Sequence, residues 1–198
     1  MKESADGARL GIFYKLTNTG TDPAPWSWAA HPLFAVDAGD SVDLPPGIRT
    51  LRLEGSGDKR LGKYGDTVHW PITRLSAAGE AALSVTETDL RIAQPIDSGI
   101  GDKLFAGPLD AEENWCELSR PSAGVKIRVS FEAEKTPYLG LWLCYGGWPE
   151  REGPKQMCVA LEPATAPVDS LAVEGPWSRV LAAGESHEWA MTVDLKAY

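Results

Sequence analysis

The stretch MCVALEP, residues 157–163, carries the side chain with the clearest chemical potential in the sequence. Met157, Val159 and Leu161 alternate with Cys158 and Ala160, the period-2 pattern of a half-buried strand. The next position on the small-residue face is Glu162, a carboxylate followed at once by Pro163. In YLGLWLCYGGWP, Leu139, Leu141, Leu143 and Tyr145 share one face, leaving Gly140, Trp142, Cys144 and Gly146 on the other. Paired as a hairpin across GGWPEREGPK, the two strands would bring small residues together into a hollow under one carboxylate and one or two indoles. Such a surface suits a sugar, whose C–H face packs on an aromatic ring while its hydroxyls take polar partners. The plainer alternative is a core tryptophan beside a rim glutamate, since a strand-end Glu is usually solvated.

Three further groups are weaker. PAPWSWAAHPLFAV places His31 among Trp26, Trp28 and Phe34, with Pro32 stiffening the chain beside it. A lone histidine in an apolar setting is more often a hydrogen-bonded core residue than a reactive one. His69 and His187 have no ligand-like spacing to it, which argues against zinc. Asp102, in SGIGDKLFAGPL, has the setting of a turn cap. Lys59, Arg60 and Lys63 could hold a phosphate, although a solvated loop accounts for them as well. No P-loop, GxGxxG, GxSxG or HExxH occurs.

The elements that must position these residues read as strands. Leu10, Ile12, Tyr14 and Leu16 alternate with Gly11, Phe13, Lys15 and Thr17 before the turn residues NTGTDP. Val125, Ile127, Val129 and Phe131 repeat the pattern, and Trp189, Met191, Val193 and Leu195 repeat it again. Pro- and Gly-rich connections separate them. Only SAAGEAALSVTETDL, residues 76–90, hints at a helix, and its Gly79 and β-branched tail oppose one. The pattern predicts an all-β fold, an antiparallel β-sandwich or barrel, as a single domain over residues 1–198.

Length and charge narrow the function classes. The 198 residues suffice for one well-packed core. A net charge of −9 argues against nucleic acid or anionic membrane as partner and leaves a neutral small molecule. Three cysteines without framework spacing read as reduced thiols. No apolar run approaches a membrane span, and MKESADGARL has no signal-like core, so the cytoplasm is the expected compartment.

Taken in order, LTNTGTDPAPWSWAAHPLF, GDKLF, LGLWLCYGGWP and CVALEPATAPVDSL resemble the aldose 1-epimerase (galactose mutarotase-like) family, from about residue 9 to the end. The resemblance implies that family's antiparallel supersandwich. Asn18, His31 and Phe34 match its strand-ending Asn and the histidine that follows, which gives His31 the role of general acid. Asp102 and Phe105 match its sugar-binding Asp loop, with Lys103 where many members have His. Glu162 matches its general base. Trp142 and Asn18 complete the expected substrate contacts. Family members normally carry further N-terminal strands that supply an arginine and a second histidine. Nothing here matches those two residues, so the expectation is an N-terminally shortened sandwich that self-associates or is weakly stable as a monomer.

The implied reaction interconverts the α and β anomers of an aldose. A base removes the proton from the anomeric O1–H while an acid protonates the ring oxygen, and the C1–O5 bond opens. Rotation about C1–C2 and reclosure complete it, with no metal or other cofactor. The alternative function is a non-catalytic carbohydrate-binding sandwich.

Overall fold

A computed structural model describes residues 2–4, 7–75 and 86–198. The strands in chain order are β1 (Lys2–Ser4), β2 (Gly7–Thr17), β3 (Ala24–Trp26), β4 (Leu33–Ala35), β5 (Ser41–Asp43) and β6 (Thr50–Ser56). Then come β7 (Thr67–His69), β8 (Ile72–Arg74), β9 (Glu87–Asp89), β10 (Ile100–Ala106) and β11 (Trp115–Arg120). Last are β12 (Val125–Phe131), β13 (Tyr138–Tyr145), β14 (Met157–Ala164), β15 (Arg179–Leu181) and β16 (Ser186–Ala197). Most of the stretch with a helical hint, residues 76–85, lies outside the described residues, and its end forms β9.

Two six-stranded antiparallel sheets carry the fold, one ordered β1-β2-β16-β12-β11-β5 and the other β4-β14-β13-β10-β6-β7. The all-β antiparallel sandwich expected from the alternation is the observed architecture. The alternation is also what builds the core. Leu139, Leu141 and Leu143 of β13 and Val159 and Leu161 of β14 face inward, meeting Leu118 of β11 and Val129 of β12. Each is at most 1% exposed, and full burial of such a side chain contributes about 1.5–3 kcal/mol.

The opposite face of the second sheet is the one that matters for chemistry. β13 and β14 form the expected hairpin, with Gly140 opposite Glu162, Trp142 opposite Ala160 and Cys144 opposite Cys158. β10 lies on the other side of β13, with Gly101 opposite Cys144, Lys103 opposite Trp142 and Phe105 opposite Gly140. Directly opposed residues of an antiparallel ladder point to the same face. That face therefore presents Lys103, Trp142 and Glu162 over glycines, alanine and thiols. Phe105, Tyr138 and Ala164, with Trp177 packed on them, form a second small apolar cluster.

Candidate active site

Glu162 is 1% exposed, yet its two oxygens have different surroundings. Oε2 accepts a charge-assisted hydrogen bond from Lys103 Nζ. Oε1 makes no hydrogen bond and lies 3.4 Å from His31 Nε2, near enough for an ion pair. Space for the carboxylate comes from Gly140: a Cβ there would stand 2.9 Å from the Phe105 ring and 3.1 Å from Glu162 Oε2. A buried carboxylate with one free oxygen costs stability unless a partner or ligand meets it.

His31 reaches this position through backbone pairing. Ala29 bridges Ala164, Ala30 N donates to Pro163 O at 3.0 Å, and Leu33 of β4 pairs with Ala160. The bridge and the β4 pair keep one register, which puts His31 opposite Glu162. The imidazole is 54% exposed, so one edge faces the carboxylate and the rest faces solvent. His31 is thus a surface histidine at the mouth of the hollow and not a core one.

Lys103 is the site residue to which sequence reasoning gave no role. Its ammonium also approaches Asp169 Oδ1 at 3.5 Å and sits 5.0 Å above the Phe105 ring. The signal lay in the phase of IGDKLF, where Lys103 shares a face with Phe105 and Gly101. Trp142 is on the same face, its ring across Gly101, with one ring atom 3.3 Å from where a Cβ on that glycine would stand.

Two expected substrate contacts are corrected by the structure. Asp102 points to the opposite, interior side of β10 and is wholly buried. It accepts from Ser56 Oγ at 2.6 Å and pairs with the Arg60 guanidinium, so neither oxygen is free for a sugar. Burial pushes its carboxyl above the usual range, against the pull of Arg60 and Ser56. Asn18 is a turn clamp. Its Nδ2 donates to Asp22 O at 2.8 Å and Leu181 O at 2.9 Å, and its Oδ1 accepts from Gly20 N at 2.9 Å. The turn consumes every polar group the side chain has.

The two thiols at the far end of the face interact. The Cys144 thiol donates to Gln156 O at 3.7 Å and the Cys158 thiol to Gln156 Oε1 at 3.8 Å. The adjacent Cys158, ahead of the backbone N–H groups of residues 146–148, pulls Cys144 below the usual cysteine range, and Cys158 is pushed up by Cys144 and by burial.

Comparison with solved structures fixes the type of fold. A protein of Klebsiella pneumoniae assigned as an aldose 1-epimerase superposes over 96% of this chain with a TM-score of 0.63 and 14% identity. The chain has the galactose mutarotase-like fold. A similarly assigned protein of Escherichia coli gives 0.61 over 98% at 16% identity, and a galactose mutarotase-like protein of Lactobacillus casei gives 0.56 over 97% at 20%. This example of the fold spans 43%, 57% and 60% of the lengths of those three chains. No family model and no curated protein matches the sequence. No helix among the described residues is long and apolar enough to cross a membrane.

Proposed function

We propose that the chain binds an aldose on the outer face of β10, β13 and β14 and interconverts its anomers. Glu162 takes the proton from the anomeric hydroxyl, and protonated His31 delivers one to the ring oxygen as the C1–O5 bond opens. In the open-chain aldehyde, rotation about C1–C2 exposes the other carbonyl face. Reclosure returns the protons to their donors in the reverse sense. The observation that carries this reading is the buried Oε1 of Glu162, which makes no hydrogen bond and faces His31 Nε2 at 3.4 Å. An acid at the mouth of a hollow with a base buried beside it supplies the two groups that coupled proton transfer needs. Lys103 supports the role of Glu162 by holding Oε2 in place.

A second reading is a carbohydrate-binding sandwich without turnover. It is favoured by the Lys103–Glu162 pair, which compensates the buried charge as a structural ion pair would. Polarimetry on freshly dissolved α-glucose and α-galactose separates the two. Acceleration over buffer that disappears in Glu162→Gln establishes the isomerase. Sugar binding by calorimetry with no acceleration establishes the binding module, and neither result leaves both readings standing.

A further inference from the structure

A trough of about 890 Å³ leads away from the Glu162 end of the sheet. Lys103 and Trp142 line its near end, while neither His31 nor Glu162 is among its walls. Because Lys103 also holds Glu162, the trough and the acid–base pair share one residue. The floor is made of glycines, Gly55, Gly101, Gly146 and Gly147 among them. At Gly146 and Gly147 a Cβ would collide with backbone at 1.8 Å and 2.4 Å, so packing alone requires those two. Gly55 differs: a Cβ there would meet nothing within 4 Å, and its side is open only because no side chain fills it.

The rims point to the kind of ligand. Trp148, 48% exposed, stands at the trough with its indole available. Asp58 and Lys59 also line it, and both hold left-handed backbone, with φ of 51° and 55°. Two consecutive non-glycine residues in that region are a source of strain, found more often where a ligand is met than elsewhere. Lys59, Lys103 and Lys155 are balanced by Asp58, Asp97 and Glu150. A trough lined with equal numbers of both charges gives no net attraction to an anion or a cation. It offers many donors and acceptors to hydroxyl groups instead, beside two indole surfaces.

Size decides the rest. Cavities of about 300–1,000 Å³ take drug-sized ligands, and a free hexose, with about a dozen non-hydrogen atoms, lies far below what this one can hold. We infer that the trough is an extended subsite for a neutral oligosaccharide, whose reducing-end aldose lies at Glu162 and whose further units run over Trp142 toward Trp148. This inference rests on the proposed placement of the anomeric centre at Glu162.

Calorimetry with glucose and xylose, set against maltotriose, cellotriose and xylotriose, tests it on the full chain, with polarimetry run in parallel. At least one trisaccharide should bind about tenfold more tightly than its own monosaccharide. Trp148→Ala and, separately, Gly55→Leu should each collapse that ratio toward one, the first by removing a platform and the second by filling the floor. If no trisaccharide exceeds its monosaccharide, or if both variants keep the wild-type ratio, the subsite does not exist. The two proposals fail separately. Trisaccharide binding through Trp148 without anomer interconversion removes the catalytic reading and keeps the trough, whereas monosaccharide turnover with no trisaccharide preference does the reverse.

Discussion

His31 and Glu162 stand opposite one another in the pairing that joins residues 29–35 to β14, with Nε2 and Oε1 3.4 Å apart. If this pair transfers protons as proposed, removing either partner, by Glu162→Gln or by His31→Asn, should slow anomer interconversion. Each should cost about two to four orders of magnitude in rate. Either variant folding normally with near-wild-type polarimetric turnover would make its residue a bystander.

Lys103 and Glu162 should be coupled in stability. Lys103→Met leaves the buried carboxylate without its cation and should cost about 3–5 kcal/mol in urea unfolding. Adding Glu162→Gln to it should recover much of that loss, since no buried charge then remains. A double-mutant cycle over the four proteins reads the coupling, and strict additivity would show that the ion pair does not form.

Gly140→Ala tests the space left for Glu162. In most strands the change from Gly to Ala is neutral or favourable. Here the methyl group would meet Phe105 and the Glu162 carboxylate, so a loss of about 1–3 kcal/mol is expected, together with reduced turnover. An unchanged urea midpoint would mean that Glu162 does not occupy the place described.

Asp102 has a signature in pH and stability. Its carboxyl is harder to ionise in the fold than in the unfolded chain, because it is buried. Such a group favours the fold in its protonated form. That contribution is complete below the unfolded pKa and is lost as pH rises through the folded one. The stability of wild type relative to Asp102→Asn should therefore be highest in acid and fall as pH rises. Sugar affinity should not follow it, since the side chain faces the interior.

The thiol pair gives a fifth handle. Ultraviolet absorbance should report one thiolate, on Cys144, forming below the ordinary cysteine range. A thiol whose pKa is depressed by folding adds stability as pH rises through its folded pKa toward the ordinary cysteine range. Cys158→Ala removes the neighbour that depresses it and should return the thiolate transition to higher pH. A transition left unchanged in Cys158→Ala would place its cause elsewhere.

Much of this geometry is legible in the sequence because a strand's period is two. The alternation in 139–145 and 157–162 suffices to place Trp142 and Glu162 on one face and to pair them across GGWPEREGPK. Asp102 is misplaced by sequence reasoning for a local reason. Gly99 and Gly101 give it the setting of a turn, whereas residues 100–106 are a strand that turns its side chain inward. Asn18 is misread because its partner Leu181 O comes from a strand far along the chain. The meeting of His31 with Glu162 likewise depends on a pairing between distant segments, which alternation within either segment cannot reveal.

The adjacency of β2 and β16 has a kinetic consequence. Their ladder runs from Gly7 opposite Lys196 to Thr17 opposite Ser186, and it contains the Arg9–Asp194 ion pair. Nearly the whole chain lies between the partners, so zipping this ladder means closing a very long loop before any of its contacts can form. Folding dominated by such non-local pairing is slow, and until it is complete the facing edges of β2 and β16 stand unpaired and open to other molecules. Refolding yield should therefore fall steeply with protein concentration, and a peptide of residues 186–197 added in trans should capture the chain before that ladder forms.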